Sequence, residues 1–226
     1  DAFCRVGGCD AGRGVAALPV DVTDRNSVDA FVARIEQQVG PIDVYVNNAG
    51  IGPVAMINDE TDALAERIFD INVHGTLFGM KAVLPGMLAR GRGHIVNVAS
   101  AAGKIAFPGA ASYCASKHAV VALTESVRAE LISSPVRLSL ILPGIANTEL
   151  ASGVKRLRGI PIAEPEQIAA DIVDAVAHDR FEVFIPRRLG AVSKLTAVIP
   201  RTLRERIMHA LGIDTMLLDI DPDVRL

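Results

Sequence analysis

The chain has 226 residues, a length that a single α/β domain routinely reaches. Its net charge of −3 gives no global electrostatic reason to bind nucleic acid, and its three cysteines and five histidines show no metal-ligand spacing. An odd number of cysteines suits a reducing compartment, and no apolar run reaches the ~18 residues that span a bilayer, so we expect a cytoplasmic protein without a metal.

Short apolar stretches alternate with longer stretches that have apolar residues at helical spacing. In chain order the predicted elements are a strand at 16–20, a helix from Asp24 to Val39, a strand at 42–46, a helix at 59–84, a strand at 94–98, a helix at 111–131, a strand at 136–142, a helix at 165–177 and a strand at 181–185. Gly40-Pro41 ends the first helix and Pro85-Gly86 the second. This alternation predicts an α/β fold, with a doubly wound, mostly parallel sheet and helices on both faces.

Tyr113 and Lys117 lie four residues apart in Ser-Tyr-Cys-Ala-Ser-Lys, and Ser100 lies thirteen residues before Tyr113. Residues four apart share one face of a helix. An ammonium beside a phenol stabilises the phenolate and lowers the phenol's pKa from its usual ~10. That chemistry moves a proton to or from an alcohol near neutral pH. By itself such a pair is weak evidence, because most Tyr–Lys pairs are merely exposed.

Four more motifs stand around this pair in a single register. They are Asn47-Asn48-Ala49-Gly50 after the strand at 42–46, Asn72 in Asp-Ile-Asn-Val-His-Gly, Ser100 at the end of His-Ile-Val-Asn-Val-Ala-Ser, and Pro143-Gly144 in Pro-Gly-Ile-Ala-Asn-Thr. With these motifs the chain resembles the short-chain dehydrogenase/reductase family from about residue 16 to about residue 186. The resemblance implies a Rossmann-like sheet, NAD or NADP as cofactor, and hydride transfer between that cofactor and a secondary alcohol or ketone.

The resemblance also implies a role for each matching residue. Tyr113 would be the general acid/base, Lys117 its pKa modulator and a ribose ligand, Ser100 a donor to the substrate oxygen, and Asn72 the holder of a relay water through its carbonyl. The implied cofactor contacts are Asp21 and Val22 at the adenine, Asn48, Ala49 and Gly50 after a strand, Tyr113 and Lys117, Pro143 and Gly144 beside the nicotinamide, and Thr148 on its carboxamide. Asp21 has a second interpretation, as the start of a turn before the Asp24 cap, and Asn-Ala-Gly also occurs as an ordinary turn.

Residues 1–15 depart from the family pattern, which opens with a strand, a Thr-Gly-x-x-x-Gly-x-Gly turn, a helix and a second strand. Gly7-Gly8 and Gly12-x-Gly14 are glycine-rich, but no apolar strand precedes them, so a flexible loop is the simpler interpretation. We therefore expect a gap beside the strand at 42–46 or a displaced strand at 16–20. We also expect the chain as written to bind NAD(H) and NADP(H) weakly or not at all. The residue that selects NAD or NADP would lie in the absent second strand.

Residues 191–226 are predicted to form a helical extension of a domain at 1–190. Six basic residues are interleaved with apolar ones after Pro186: Arg187, Arg188, Lys194, Arg201, Arg204 and Arg206. A basic amphipathic segment can lie on a membrane surface. We favour the commoner arrangement, a helix packed on its own domain or on a partner subunit.

The helices at 59–84 and 111–131 are apolar on more than one face. The residues beyond the sheet-facing set are Leu77, Met80, Val83, Val121 and Leu123. In family members these helices pair across a two-fold axis, so we expect a homodimer or a tetramer of such dimers.

Two hypotheses of function follow from the sequence. The first is an oxidoreductase for a lipophilic alcohol or ketone, because several motifs look closest to family members acting on steroids, retinoids or fatty alcohols. The second is a catalytically silent fragment or binding protein that keeps the site residues but lacks the cofactor's phosphate loop. The sequence upstream of Asp1, or the intact mass, would separate them.

Overall fold

The computed structural model describes residues 17–146 and 162–210. In these residues four parallel strands form one sheet in the order β1-β2-β3-β4, made of β1 (Val44–Asn47), β2 (His94–Val98), β3 (Arg137–Pro143) and β4 (Glu182–Ile185). The described helices are α1 (Arg25–Gln38), α2 (Asp62–Phe69), α3 (Gly75–Arg90), α4 (Ala111–Glu130), α5 (Pro165–Ala177), α6 (Arg188–Val198) and α7 (Arg201–Ala210). The predicted α/β fold with a parallel sheet is confirmed.

Helices cover both faces of the sheet, because the strands are apolar on both faces. On one face, Ile95 and Leu138 pack against Val83 and Met87 of α3, with α1 lying beyond α3. On the other face, the register places Val98, Ile141 and Val183 side by side under α5. The carboxyl ends of β1, β2 and β3 consequently open at one edge of the sheet, which is where open α/β sheets bind ligands.

The predicted elements agree with the structure to within about two residues where the hydrophobic period was unambiguous. The side chain of Asp24 accepts a hydrogen bond from the Asn26 amide and caps α1, as predicted. The strand at 94–98 and the helix at 165–177 have the predicted bounds. In these segments local pattern and tertiary packing agree.

The predicted strand at 16–20 is wrong over residues 17–20, and Ala16 lies outside the described residues. Residues 17–20 belong to no strand, because they pair with no backbone in the described sheet. Val20 instead lines a cavity beside Val44 and Val46 of β1. In the described part of the chain β1 is therefore an edge strand, and its two valines are 44% and 41% exposed.

The predicted helix at 59–84 is wrong in three respects. It begins at Asp62, because the Thr61 side chain accepts from the Leu64 amide and caps it. A π-helical segment, Asp70–His74, then separates α2 from α3. Pro85 does not end the helix, since burial of Val83 and Met87 on either side outweighs the loss of one backbone hydrogen bond.

The expectation of spare apolar residues on α3 and α4 is also wrong for three of the five. Met80, Val83 and Val121 are 2%, 2% and 5% exposed and belong to the chain's own core. Leu77 and Leu123 are partly buried. A partner subunit would therefore have to contact other side chains of these helices.

After β4 the chain continues in helices α6 and α7, and the division into a domain at 1–190 and an extension at 191–226 stays a prediction. Leu189 of α6 packs against Phe184 of β4. None of the helices in the described ranges combines the length and the apolar character that crossing a membrane requires.

Candidate active site

The candidate site is centred on the side chains of Tyr113 and Ser100, whose interaction opposes the rise that burial causes in the pKa of the Tyr113 phenol. Tyr113 lies in the first turn of α4, and Ser100 follows β2 by two residues. The Ser100 hydroxyl accepts from the Ala102 amide at 3.1 Å and donates to the Pro143 carbonyl at 3.4 Å. These contacts hold the serine between the ends of β2 and β3, facing the tyrosine.

Lys117 lies one turn beyond Tyr113 on α4, as the four-residue spacing predicted. Its Nζ is 5.9 Å from the centre of the Tyr113 ring and donates to the Val98 carbonyl at 3.2 Å. The side chain is 5% exposed, and burial lowers the pKa of Lys117 to about 8. At neutral pH most of the lysine is therefore still protonated, and an ammonium stands beside the phenol.

The pKa of Tyr113 departs from the expectation that Lys117 would lower it. Burial raises this pKa above its usual range, while the Ser100 side chain acts in the opposite direction and the Cys114 thiol adds a smaller upward contribution. Desolvation of the phenolate is the largest cause. The group present at neutral pH is consequently the neutral phenol, which is the form that can donate a proton.

Asn72 lies inside the π-helical segment and is 1% exposed. Its side chain accepts from the Ile51 amide and donates to the Ile51 carbonyl and the Ser116 hydroxyl, each at 2.9 Å. The predicted distortion is present, but the Asn72 carbonyl accepts from the Thr76 hydroxyl at 2.8 Å rather than standing free. One lone pair of that carbonyl is left for a further donor.

Gly50 brings the loop after β1 against Asn72 and Lys117. A Cβ at Gly50 would lie 3.2 Å from Asn72 Oδ1 and 3.3 Å from Lys117 Nζ, so a side chain there would crowd both groups. The preceding Asn48 and Ala49 are exposed at the carboxyl end of β1. The structure thus brings the predicted Asn-Ala-Gly loop to the same place as the predicted catalytic residues.

A polar network lies beneath the site, and its members Asn97 and Thr124 were not predicted. Asn47 of β1 donates to Asn97 of β2 at 2.8 Å, and Asn97 donates to the Thr124 hydroxyl of α4 at 2.9 Å. Gly79 of α3 makes room for this network, since a Cβ there would lie 2.8 Å from Tyr45 and closer still to Asn47. The available signal was an Asn at the same point of two successive buried strands.

Ser116 is a second residue that the sequence analysis missed. It is fully buried, accepts from Asn72, and donates to the Tyr113 carbonyl at 2.8 Å. It therefore connects the π-helical segment to the turn of α4 that carries Tyr113. Its position between Tyr113 and Lys117 was a usable signal, because residues three apart on a helix are neighbours.

Asp21 forms the turn that was its alternative interpretation. Its carboxylate accepts from the Thr23 side chain at 2.7 Å and the Thr23 amide at 2.9 Å, and these bonds lower the pKa of Asp21. Val22 lines a cavity of about 420 Å³ with Asn48 and Ala49. An adenine contact at Asp21 and Val22 stays a prediction, and Thr148 lies outside the described residues.

Ser100, Tyr113 and Lys117 do not line this cavity, which follows the open edge of β1. Pro143 ends β3 near Ser100. Gly144 follows it, and the Gly144 amide donates to the Ile185 carbonyl at 2.8 Å.

Across the described ranges, no group of three or more His, Cys, Asp or Glu side chains is placed to hold a metal ion.

Comparison with known proteins agrees with this geometry. The sequence model described as "short chain dehydrogenase" matches residues 7–158. The chain belongs to the short-chain dehydrogenase family. A short-chain dehydrogenase from Burkholderia cenocepacia, solved in complex with NADP, shares the fold with a TM-score of 0.75 and 27% identity, over 88% of this chain and 82% of that one. A family member from Burkholderia phymatum, solved with NAD, gives a TM-score of 0.70 and 28% identity, over 83% and 76%.

Curated family members differ in substrate. Galactitol 2-dehydrogenase of Agrobacterium fabrum is 41% identical over 61% of this chain and 54% of its own length. Epidermal retinol dehydrogenase 2 of Mus musculus is 30% identical over 88% of this chain and 66% of its own length. The chain therefore spans about half and about two thirds of the length of these two relatives.

Proposed function

We propose that the protein is an NAD(P)-dependent oxidoreductase that interconverts a secondary alcohol and a ketone. The observation that carries the proposal is the grouping of Tyr113, Ser100 and Lys117, with the buried Lys117 ammonium 5.9 Å from the centre of the Tyr113 ring on the same face of α4. Such a group can give a proton to a carbonyl oxygen while a second hydroxyl stabilises the charge that develops there.

The residues around Lys117 fit a dinucleotide cofactor. Gly50 leaves no side chain between the loop after β1 and the two buried polar groups of Asn72 and Lys117. Asn48, Ala49 and Gly50, together with Lys117, would hold the ribose and neighbouring atoms, and Pro143 and Gly144 would flank the ring. When bound, NAD(P)(H) supplies the hydride chemistry.

The chain's own residues perform the proton transfer. In the reduction direction the substrate oxygen accepts hydrogen bonds from Ser100 and Tyr113, and the Tyr113 phenol gives up its proton as the alcohol forms. The Lys117 ammonium stabilises the phenolate that is left. Asn72 and Ser116 hold the turn of α4 that carries Tyr113.

We further propose a lipophilic substrate. Tyr113 packs in a cluster whose partly buried members are Val54, Phe107 and Ile145. A polyol would leave hydroxyls without partners against these side chains, and each such loss costs about 1–3 kcal/mol. The sequence identity to galactitol 2-dehydrogenase, 41%, is higher than the 30% identity to epidermal retinol dehydrogenase 2. This favours a polyol as the second candidate substrate.

The test measures ketone reduction by monitoring the oxidation of NAD(P)H. A steroid ketone and a ketohexose serve as the paired substrates. Tyr113→Phe should lower turnover by ~10²–10⁴-fold, the usual contribution of a general acid/base. Tyr45→Phe is the matched control, because it removes the chain's other phenol from β1, away from Ser100. A Tyr113→Phe variant that keeps more than about a tenth of the activity would remove Tyr113 from this role.

The paired substrates also separate the alternatives. Higher kcat/KM for the steroid ketone supports the lipophilic substrate, and higher kcat/KM for the ketohexose replaces it with the polyol class. A folded protein that reduces neither ketone, under saturating NADH or NADPH, favours the silent binding protein.

A further inference from the structure

Helices α6 and α7 expose four large apolar side chains. Val192 and Leu195 of α6 are 48% and 60% exposed, and Leu203 and Ile207 of α7 are 48% and 39% exposed. Each pair is three or four residues apart, so its members share one side of their helix. We call these four residues the α6–α7 apolar face.

This face is turned away from the protein's own core. The contact of α6 with the sheet is made by Leu189, which packs against Phe184. In α7 every side chain that the structure describes is exposed. Packing on its own domain is therefore seen for α6, while for α7 packing on the domain or on a partner subunit stays a prediction.

The same segment is strongly basic in an acidic protein. Residues 187–210 contain six Lys or Arg and one Glu, a net charge of +5, whereas the whole chain has −3 and the remainder consequently −8. Arg187 is paired with Asp174 at 2.9 Å. Arg188 and Arg206 are exposed and contact no acidic side chain among the described residues.

We propose that the α6–α7 apolar face docks on an anionic phospholipid membrane. Apolar side chains enter the boundary between headgroups and acyl chains, while neighbouring basic residues attract the lipid phosphates. A symmetric contact with a second copy would bring two segments of charge +5 together, which opposes that occupant. At eleven and ten residues the helices are too short to span, so they lie along the surface.

The test is sedimentation of the full protein with vesicles of phosphatidylcholine, with and without phosphatidylglycerol. The protein should bind the vesicles that contain phosphatidylglycerol, and the bound fraction should fall as salt rises. Arg188→Glu/Arg206→Glu should lower the partition coefficient at least about tenfold, since each basic residue near an anionic surface contributes roughly fivefold. Leu203→Ser/Ile207→Ser should also reduce binding, because it removes the apolar contribution.

Matched controls carry the same changes elsewhere on the surface. Arg34→Glu/Arg67→Glu reverses two exposed arginines on α1 and α2, and Val39→Ser/Ile132→Ser alters side chains that are 71% and 87% exposed. Both controls should bind like the wild type. Equal binding to neutral vesicles, no binding to either kind, or equal losses in the controls would overturn the proposal. So would a dimer in solution that Leu203→Ser/Ile207→Ser dissociates, because the face would then be an interface between copies.

Discussion

At Lys117 the requirements of chemistry and of stability oppose one another. The side chain is buried, and burial lowers its pKa from the usual 10.5 to about 8. Below pH 8 both the folded and the unfolded chain hold the proton, so the folded state bears the full penalty of a buried charge. Between pH 8 and 10.5 only the folded state releases the proton, so the lysine's contribution to stability improves as pH rises.

Replacing Lys117 by Met should therefore stabilise the folded protein at pH 7 while abolishing turnover. The gain has an upper bound of about 3–4 kcal/mol, from a difference of roughly 2.5 pKa units at about 1.4 kcal/mol each. Denaturant unfolding at pH 7 and pH 9.5 measures it, and the advantage of the variant should shrink at the higher pH. Lys81→Met, at an exposed position on α3, should show no such change. If the free energy of unfolding depends on pH in the same way in the wild type and in Lys117→Met, the lowered pKa of Lys117 is contradicted.

The sequence predicts that Lys117 lies beside Tyr113, but it does not predict that the pKa of Tyr113 is raised. Spacing along a helix placed Lys117 beside Tyr113, because the α-helical repeat fixes which side chains share a face. The pKa of Tyr113 depends on how much water the surrounding loops exclude, and Val54, Phe107 and Ile145 come from three separate segments. Their convergence is a property of the tertiary fold.

Among the elements, the π-helical segment and α4 are joined through Ser116. Its hydroxyl accepts from Asn72 Nδ2 and donates to the Tyr113 carbonyl, and the side chains of Asn72 and Ser116 are buried. Removing it leaves a buried donor with one partner fewer, and the usual penalty for such a group is about 1–3 kcal/mol.

Ser116→Ala should consequently lower the free energy of unfolding by about 1–3 kcal/mol. It should also reduce kcat more than it changes KM, because the turn that carries Tyr113 loses a restraint. Ser126→Ala, at an exposed position on the same helix, is the control. If both variants unfold at the same denaturant concentration, Ser116 does not hold the two elements together.

Element boundaries followed from the sequence where one local signal decided them. The Asp24 cap and the apolar period of 165–177 were sufficient to define α1 and α5. Residues 17–20 have strand-like composition but form no strand, since a strand exists only with a partner. The sequence predicts that the helix ends at Pro85. The burial of its neighbours keeps the helix continuous there, and that burial is not visible in the sequence.

For the whole molecule we propose a homodimer, or a tetramer of dimers, through α3 and α4. Met80, Val83 and Val121 are part of the chain's own core, so the contact would use outward side chains such as Ala122 of α4. In a two-fold contact a substituted residue near the axis faces its own copy.

Ala122→Glu should therefore shift the protein towards monomer, because like charges would meet across the axis. Ala33→Glu, at an exposed position on α1, should leave the assembly unchanged. Sedimentation velocity at micromolar concentration measures both variants. A wild-type profile that contains only monomer would contradict the proposed assembly.

The central claim, proton transfer by Tyr113 coupled to hydride transfer from NAD(P)H, is tested most directly by isotope transfer. The protein is incubated with a ketone and with NAD(P)H that carries deuterium on one face of nicotinamide C4, each face in turn, and the alcohol is analysed by mass spectrometry. The account predicts one deuterium on the carbinol carbon for one face only. It also predicts transfer by Tyr45→Phe and a fall to background in Tyr113→Phe. Alcohol formed by the wild type without deuterium from either face, or with undiminished transfer in Tyr113→Phe, would contradict it.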